Sequence, residues 1–237
     1  MAELAEVQDK AAPSTLKYRI QSTLRRSFAL AVWTRAVVLQ NKEVANQIAP
    51  EVVKLAPEMK EVFEPYLNAK SETERERAAL YVLLEYTNLS PFLSPGIPET
   101  TSSGDAECYF ESVWWCTPAN TEYNYKEERD VPKAVGKPVF LSAPQIETAR
   151  RERAALIALG DGPSYLGKRV IEWAKASPKD KRIPEALFIA AEANKPYKYG
   201  CKAWEGDEEI VKEAGAMLLD RYSQSSWAAK LIAEARQ

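Results

Sequence analysis

Apolar residues recur at three- and four-residue spacing along most of the chain, a pattern that predicts helices with one buried face. The first long pattern predicts a helix over 14–40, and Pro13 and Ser14 suit its start. The predicted apolar face of this helix comprises Ile20, Leu24, Phe28, Ala31 and Val32. One side of the helix is therefore expected to be buried.

Shorter helical segments follow the first helix. Pro50 and Pro57 each suit the first turn of a helix and are expected to punctuate the chain. Ser71 and Glu74 form a capping box, which predicts the start of another helix. The helices predicted in this part cover 14–40, 42–48 and 71–86, with short pieces after the two prolines.

Helical spacing is absent between residues 88 and 141. The stretch "NLSPFLSPGIPETTSSGD" holds three prolines and two glycines, which favour loop structure. It precedes "ECYFESVWWCTP" (107–118), whose aromatic residues are not typical of disordered segments. We therefore predict a long ordered loop excursion that packs on the helices.

The helical pattern returns at Ser142, which forms a second capping box with Gln145, and Gly160 supplies a stop signal. Four further helices are predicted, over 163–176, 183–194, 207–222 and 225–236. They form two pairs, each close to the roughly 34 residues of a tetratricopeptide unit. The second helices of the pairs share the pattern A-x-x-x-x-A-E-A, a weak internal repeat. An ordinary bundle without repeats is the alternative.

These elements predict an all-α protein. We expect a tetratricopeptide-like helix-hairpin array, either a solenoid or a bundle, that carries one long ordered loop excursion. The predicted organisation is an N-terminal helical array over 1–87, the aromatic and cysteine-containing excursion over 88–141, and helix-hairpin pairs over 142–237. The three parts are expected to form one compact unit.

The composition excludes several kinds of active site. The chain has 237 residues, 9 glycines and no histidine. Without histidine, Ser-His-Asp and Cys-His catalysis are excluded, and no glycine-rich phosphate-binding loop is present. No catalytic residue, metal site or cofactor is predicted, and paired carboxylates are the catalytic chemistry that stays open. The net charge of −2 provides no attraction to nucleic acid.

Two C-terminal segments carry a resemblance to a known group. "YLGKRVIEWAKASPKDKRIPEALFIAAEANKPYKYGC" and "AGAMLLDRYSQSSWAAK", with "WWC" (114–116) ahead of "YGC" (199–201), resemble the C-terminal end of large bacterial proteins of uncharacterised activity. The resemblance covers residues 80–237 and implies tetratricopeptide-like helices, with export for some members. It implies no activity. This chain carries Ser177 and Phe188 where the group tends to carry histidine.

The aromatic residues of 107–118 have more than one interpretation. In the first interpretation they anchor the excursion on the helices, since burial of one tryptophan stabilises a fold by about 2–3 kcal/mol. Alternatively, they line a groove for a peptide or a sugar, or they form contacts between molecules. The candidate ligand-binding residues are Tyr109, Phe110, Trp114 and Trp115.

The three cysteines cannot all pair within one chain, because their number is odd. If the protein is exported, as the resemblance implies, Cys116 is the candidate partner of Cys201 in a disulfide that ties the excursion to the C-terminal array. Such a bond would stabilise the fold by roughly 4–5 kcal/mol in the chain-entropy model. A local Cys108–Cys116 bond and three free thiols are the alternatives.

Stacked helix hairpins present extended surfaces suited to peptides and partner helices. The first hypothesis is therefore a protein-interaction or scaffolding module without catalytic activity. A carbohydrate- or peptide-binding accessory domain that uses the loop aromatics is the first alternative, and a carboxylate-dependent hydrolase is the second.

A protein or peptide partner is expected, with no nucleic-acid partner and no transmembrane segment. The sequence carries no signal for a particular oligomeric state. The sequence leaves the location open: the protein is expected in the periplasm or outside the cell if a signal peptide is encoded upstream, and in the cytoplasm otherwise.

Overall fold

The computed structural model describes residues 14–86, 89, 142–160, 162–195 and 207–235, with side chains from Leu24 onward except at 153 and 157. Within these ranges every regular element is a helix, and there is no strand. The prediction of an all-α helical array is therefore confirmed. The predicted excursion over 88–141 lies outside the described residues, apart from residue 89. The tetratricopeptide type of the array stays a prediction.

The chain divides into two compact units, Met1–Val82 and Leu83–Gln237. The first unit contains α1 (Ser14–Val38), α2 (Lys42–Leu55), a 3₁₀ turn (Pro57–Met59), α3 (Lys60–Leu67) and most of α4 (Glu72–Glu85). The second unit contains α5 (Ala143–Ala158), α6 (Gly162–Ala176), α7 (Ile183–Ala193), α8 (Glu208–Arg221) and α9 (Ser226–Glu234).

The predicted capping residues form the hydrogen bonds that define the helix ends. The Ser71 hydroxyl accepts from the Glu74 amide at 3.2 Å, and the Glu74 carboxylate accepts from the amide before Ser71 at 2.8 Å. The Gln145 side chain likewise accepts from the Ser142 amide at 2.7 Å. Gly160 adopts φ of 75°, a left-handed conformation that glycine tolerates, just after α5 ends.

The end of α2 differs from the sequence prediction. The predicted helix over 42–48 runs on to Leu55 as α2, and Pro50 lies inside it. Proline has no backbone N–H to donate, and its ring crowds the preceding turn of the helix. A helix that packs well on a neighbour can include a proline, because the packing offsets this local cost. Here Ala45, Ala49 and Val52 bury one face of α2, and the helix contacts α1 along that face.

The buried face of α1 also differs from the predicted one. Leu24 and Phe28 were placed on the buried side, yet each is 46% exposed. Leu30, Trp33 and Ala36 are buried instead, at three-residue spacing. Several stripes along this helix are apolar, so the spacing alone did not identify the one that faces α2. The bulky tryptophan decides it, because its burial removes the largest apolar area from water.

An aromatic cluster fills the core of the first unit. The ring of Trp33 lies 4.5 Å from that of Phe63 and 5.6 Å from that of Tyr66, measured between centroids. The Tyr66 hydroxyl donates to the Asn46 side chain at 2.8 Å, and burial raises the pKa of this hydroxyl above its ordinary value. The cluster therefore joins α1 to α3, and its one polar end is hydrogen-bonded to α2.

Two salt bridges extend these contacts at the surface of the first unit. Arg26 of α1 pairs with Glu58 in the 3₁₀ turn. Lys42, at the start of α2, lies 2.5 Å from Glu76 of α4, and this hydrogen bond raises the pKa of Lys42. Such exposed pairs contribute little to stability, so the apolar core holds the unit together.

Four helices of the second unit, α6 to α9, form two helix hairpins. The Asn194 side chain, fully buried after α7, donates to the Pro163 carbonyl at the start of α6 at 3.0 Å. The end of α7 therefore lies beside the start of α6, and the two helices run antiparallel. A four-residue connection between Arg221 and Ser226 joins α8 to α9.

The two hairpins stack with equivalent helices in parallel. Gly167 near the start of α6 adjoins Ile210 of α8, and the Tyr222 hydroxyl after α8 donates to the Pro178 carbonyl after α6 at 2.8 Å. The rings of Phe188, at the middle of α7, and Trp227, near the start of α9, are 5.2 Å apart, and Lys195 after α7 lies 3.9 Å from Glu234 at the end of α9. First helix thus lies beside first helix, and second beside second.

Gly167 lies at a close contact between α6 and α8. A Cβ atom at this position would lie 2.8 Å from the Ile210 side chain and 2.9 Å from the Asn194 amide nitrogen. Real Cβ contacts are not this short, so a side chain at this position would force Ile210 and Asn194, or the helices that carry them, to shift. These two side chains can pack against the backbone of α6 because Gly167 has no side chain.

We predict that Gly167→Ala destabilises the second unit by about 1–3 kcal/mol. Alanine favours a helix by about 1 kcal/mol over glycine, but the overlap with Ile210 and Asn194 outweighs this gain. Urea unfolding followed by circular dichroism measures the difference.

Gly215→Ala is the matched control within α8. Its Cβ would lie 3.7 Å from Leu231, an ordinary van der Waals distance, so the helix gains propensity without overlap. This variant should be unchanged or up to about 1 kcal/mol more stable. Equal effects of the two alanines would contradict the close approach at Gly167.

Candidate functional site

The site residues predicted from sequence fall outside the described residues. These are the candidate ligand-binding residues Tyr109, Phe110, Trp114 and Trp115, and the candidate disulfide pair Cys116 and Cys201. They stay predictions. Within the described ranges, two polar candidates lie on the stacked hairpins of the second unit.

The first candidate is a polar surface formed by the exposed sides of α6 and α8. We call it the two-helix face. Its members are Lys168, Glu172 and Lys175 of α6 and Glu209, Lys212 and Glu213 of α8, all of them exposed. On each helix these residues recur at three- and four-residue spacing, opposite the buried side. Lys175 lies 2.6 Å from Glu213, which places the two stripes next to each other.

Charge is distributed unevenly between the two stripes. Lysines predominate on α6, with Lys168 and Lys175 against Glu172, and the half-buried Arg169 flanks them. On α8 acidic residues predominate. Its exposed acidic residues are Glu208, Glu209, Glu213 and Asp220. The surface therefore has a basic side and an acidic side along one seam.

One ion pair lies within the acidic stripe of α8. Lys212 lies 2.8 Å from Glu208 one turn before it, and this hydrogen bond lowers the pKa of Glu208 and raises that of Lys212. Both side chains are largely in water, where such pairs are weak. They remain available to exchange partners when another molecule approaches.

The second candidate lies between the ends of α7 and α9, and we call it the shared-lysine cluster. It consists of Glu192, Lys195 and Glu234. Lys195 pairs with Glu192, and its Nζ atom is 3.9 Å from a carboxylate oxygen of Glu234. The three side chains are only 28% to 35% exposed.

Partial burial changes the acidity of this cluster. Burial raises the pKa of Glu192 above its ordinary value of 4.5, the adjacent Glu234 raises it further, and Lys195 opposes both. One lysine thus serves two carboxylates in contact. Paired carboxylates of a glycosidase flank a substrate about 5–10 Å apart. In this cluster the two carboxylates instead surround the Lys195 ammonium, and this contact links α7 to α9.

Phe188 lies on α7 one helical turn before Glu192. The Lys230 ammonium lies 4.6 Å from the centre of the Phe188 ring and 5.4 Å from that of Trp227. This arrangement is a cation–π contact, which stabilises exposed sites by roughly 0.5–1 kcal/mol. Phe188 therefore packs α7 on α9 and has no proton to transfer.

The turn between α6 and α7 is a further ordered polar feature. The Arg182 guanidinium donates to Asp180 at 2.7 and 3.0 Å and stacks 5.0 Å from the centre of the Trp173 ring. Burial acts to raise the pKa of Asp180, but the hydrogen bonds from Arg182 outweigh it, and the pKa lies below its ordinary value. This turn fixes the geometry of the first hairpin.

Comparison with known proteins adds no assignment. No protein-family model, curated protein or solved structure matches the chain. Across the described ranges, no three acidic, cysteine or histidine side chains are placed to hold a metal ion. None of the helices described combines the length and apolarity that crossing a bilayer requires.

Neither candidate site follows from hydrophobic spacing alone. One signal for the shared-lysine cluster was present, because the repeated ending A-E-A puts Glu192 and Glu234 at equivalent positions of α7 and α9. Parallel stacking of those helices then brings the glutamates together. The two-helix face had no comparable signal, since exposed lysines and glutamates occur on most helices.

We predict that Glu192→Gln becomes more stable relative to the parent protein as the pH rises. A carboxyl with a raised folded-state pKa contributes stability that is present below its unfolded value, here 4.5, and is lost as the pH rises through the folded pKa. Glutamine is neutral at every pH and does not incur that loss. Urea unfolding of both proteins across the acidic and neutral range measures the difference, and a difference independent of pH would refute it.

Proposed function

We propose that the chain is a protein-interaction or scaffolding module without catalytic activity, and that the two-helix face is its binding surface. The observation that carries the proposal is the parallel placement of α6 and α8, with Lys175 and Glu213 2.6 Å apart at the seam. The two exposed helix stripes therefore form one continuous surface that is wider than either stripe alone.

Stacked hairpins bind partners through such rows of first helices, because each repeat adds side chains to the same surface. The hairpins of the second unit supply two of these rows. Close packing behind the surface supports the proposal, since Ile210 of the second hairpin packs at Gly167 and the buried Asn194 joins the two helices of the first hairpin. A binding surface on rigid elements loses little conformational freedom when a partner binds.

The charges define the chemistry of the partner. A segment that lies across the seam meets lysines on the α6 side and mainly acidic residues on the α8 side. We therefore propose a peptide segment or helix of another protein, with acidic residues over α6 and basic residues over α8. Complementary charges of this kind give specificity and faster association more than affinity, and salt weakens them.

The relation to large bacterial proteins with tetratricopeptide-like helices is part of the same proposal. The antiparallel pairs and their parallel stacking support it. The spacing between pairs supports it less well: α6 begins at Gly162 and α8 at Glu208, whereas a strict tetratricopeptide period of about 34 residues would start the second pair near 196. We therefore favour a helix-hairpin repeat of longer period.

We predict that reversing one charge on each stripe abolishes binding. Peptides are selected from a random displayed library against the immobilised parent protein and then measured by fluorescence anisotropy. The variant Lys168→Glu with Glu209→Lys should weaken the selected peptides at least about tenfold, because both of its sides repel a complementary segment. Raising the salt concentration should weaken binding to the parent protein.

The matched control is Lys54→Glu with Glu64→Lys, a reversal of exposed charges in the first unit. It leaves the net charge unchanged, as the test variant does, and should bind the selected peptides like the parent protein. Selection of no peptide, or equal binding to both variants, would show that the two-helix face is not the binding surface.

A further inference from the structure

The helix α9 is attached to the second unit by a small buried contact. All nine of its residues are described, and Ala228 is the one that is buried. Leu231 lies beside Gly215 of α8, and the Trp227 ring packs on the Phe188 ring of α7. A helix of this length is not stable by itself in water, so α9 is helical only while it stays packed on α7 and α8.

The shared-lysine cluster joins the end of α9 to the end of α7. Lys195 pairs with Glu192, and its Nζ atom lies 3.9 Å from a carboxylate oxygen of Glu234. The ammonium therefore offsets the charge of Glu192 more fully than that of Glu234. While both glutamates are ionised, two negative charges face one positive charge in a place that is partly shielded from water.

One proton removes this imbalance. The carboxyl groups of Glu192 and Glu234 are within hydrogen-bonding reach of each other. A hydrogen bond between them needs a proton, which the Glu192 carboxyl donates to the Glu234 carboxylate. The protonated cluster then holds one ammonium and one carboxylate, and it gains a bond that joins α7 directly to α9.

The elements packed on α7 bring other groups near this end of the hairpins. Lys230 of α9 lies over the ring of Phe188, and the Asp207 carboxylate at the start of α8 accepts from the Ile210 amide at 3.2 Å. The start of α6 adjoins the end of α7 at the Pro163 carbonyl, which is uncharged. Among the described residues, the charges that act on Glu192 are those of the cluster itself.

We propose that the shared-lysine cluster is a pH-sensitive link that holds α9 on α7 more tightly in mildly acidic solution than at neutral pH. In acidic solution the cluster is neutral and its two helices share a hydrogen bond. At neutral pH the repulsion between two carboxylates favours local opening of α9, which uncovers Ala228 and the ring of Phe188. The link lies outside the two-helix face, since that surface belongs to α6 and α8.

The direction of the effect follows from the acidity of the cluster. Burial raises the pKa of Glu192 above 4.5, and Glu234 raises it further against the opposing effect of Lys195. The stability that the proton provides is complete below 4.5, and it is lost as the pH rises through the pKa of Glu192 in the folded protein. The tighter state of α9 is therefore the acidic one.

Amide hydrogen exchange of α9, corrected for the intrinsic pH dependence of exchange, tests the proposal. Between about pH 4.5 and about pH 7.5, protection of the α9 amides in the parent protein should fall at least about threefold. Glu234→Gln should remove the fall, because one carboxylate then faces one ammonium. Lys195→Gln should enlarge it, because two carboxylates are left without a cation. A merely structural role of either side chain would change protection equally at every pH.

Glu213→Gln is the matched control, because Glu213 of α8 pairs with Lys175 as one carboxylate to one ammonium. This variant should show the same fall as the parent protein. All three variants should keep the helical circular dichroism of the parent, since each replaced side chain is partly in water. Protection of α9 that does not fall in the parent protein, or a fall that Glu234→Gln retains, would overturn the proposal.

Peptide binding separates this proposal from that of the two-helix face. Glu234→Gln should bind the selected peptides like the parent protein, and Lys168→Glu with Glu209→Lys should keep the fall in protection of α9. Each proposal therefore fails or succeeds on its own measurement.

Discussion

The close approach of α6 to α8 at Gly167 is the constraint on which the second unit depends. With no side chain at this position, Ile210 and the Asn194 amide pack directly against the backbone of α6. Asn194 in turn donates to carbonyl groups at the start of α6 and within α7, at 3.0 and 2.9 Å. The buried Asn194 amide thus holds α6 and α7 together in the first hairpin, and the lack of a side chain at Gly167 lets the second hairpin pack closely on it. A buried polar group of this kind stabilises only the arrangement in which its donors are satisfied, which favours a single packing.

Parallel stacking has consequences on each side of the array. Where first helices adjoin, exposed charges form a surface with a basic and an acidic side. Where second helices adjoin, equivalent glutamates come into contact and share Lys195, and Phe188 packs on Trp227 beneath Lys230. Parallel stacking therefore accounts for both the mixed-charge surface and the acidic pair.

The helices themselves were predictable because their signals are local. Ser71, Ser142 and Gly160 mark helix ends through hydrogen bonds and backbone angles that involve only neighbouring residues. The buried side of α1 was less predictable. Apolar residues lie on more than one of its sides, and the aromatic contacts of Trp33 with Phe63 and Tyr66 decide which one is buried. Those partners are distant in sequence, so no local pattern reveals them. Pro50 within α2 is a comparable case, since packing on α1 offsets a local penalty.

The amino-acid sequence by itself determined the helical class, most helix boundaries and the absence of histidine-dependent chemistry, because these follow from composition and from interactions within a few residues. It also determined the equivalence of Glu192 and Glu234, through a repeated pattern. Only the tertiary structure decided that these glutamates meet at one lysine, that Lys175 and Glu213 join two stripes into a surface, and that Leu219 and Ile232 stay exposed. The reason is that side-chain neighbours across helices depend on how backbones approach one another, and that approach is set at Gly167, where the sequence shows only a glycine within a helix.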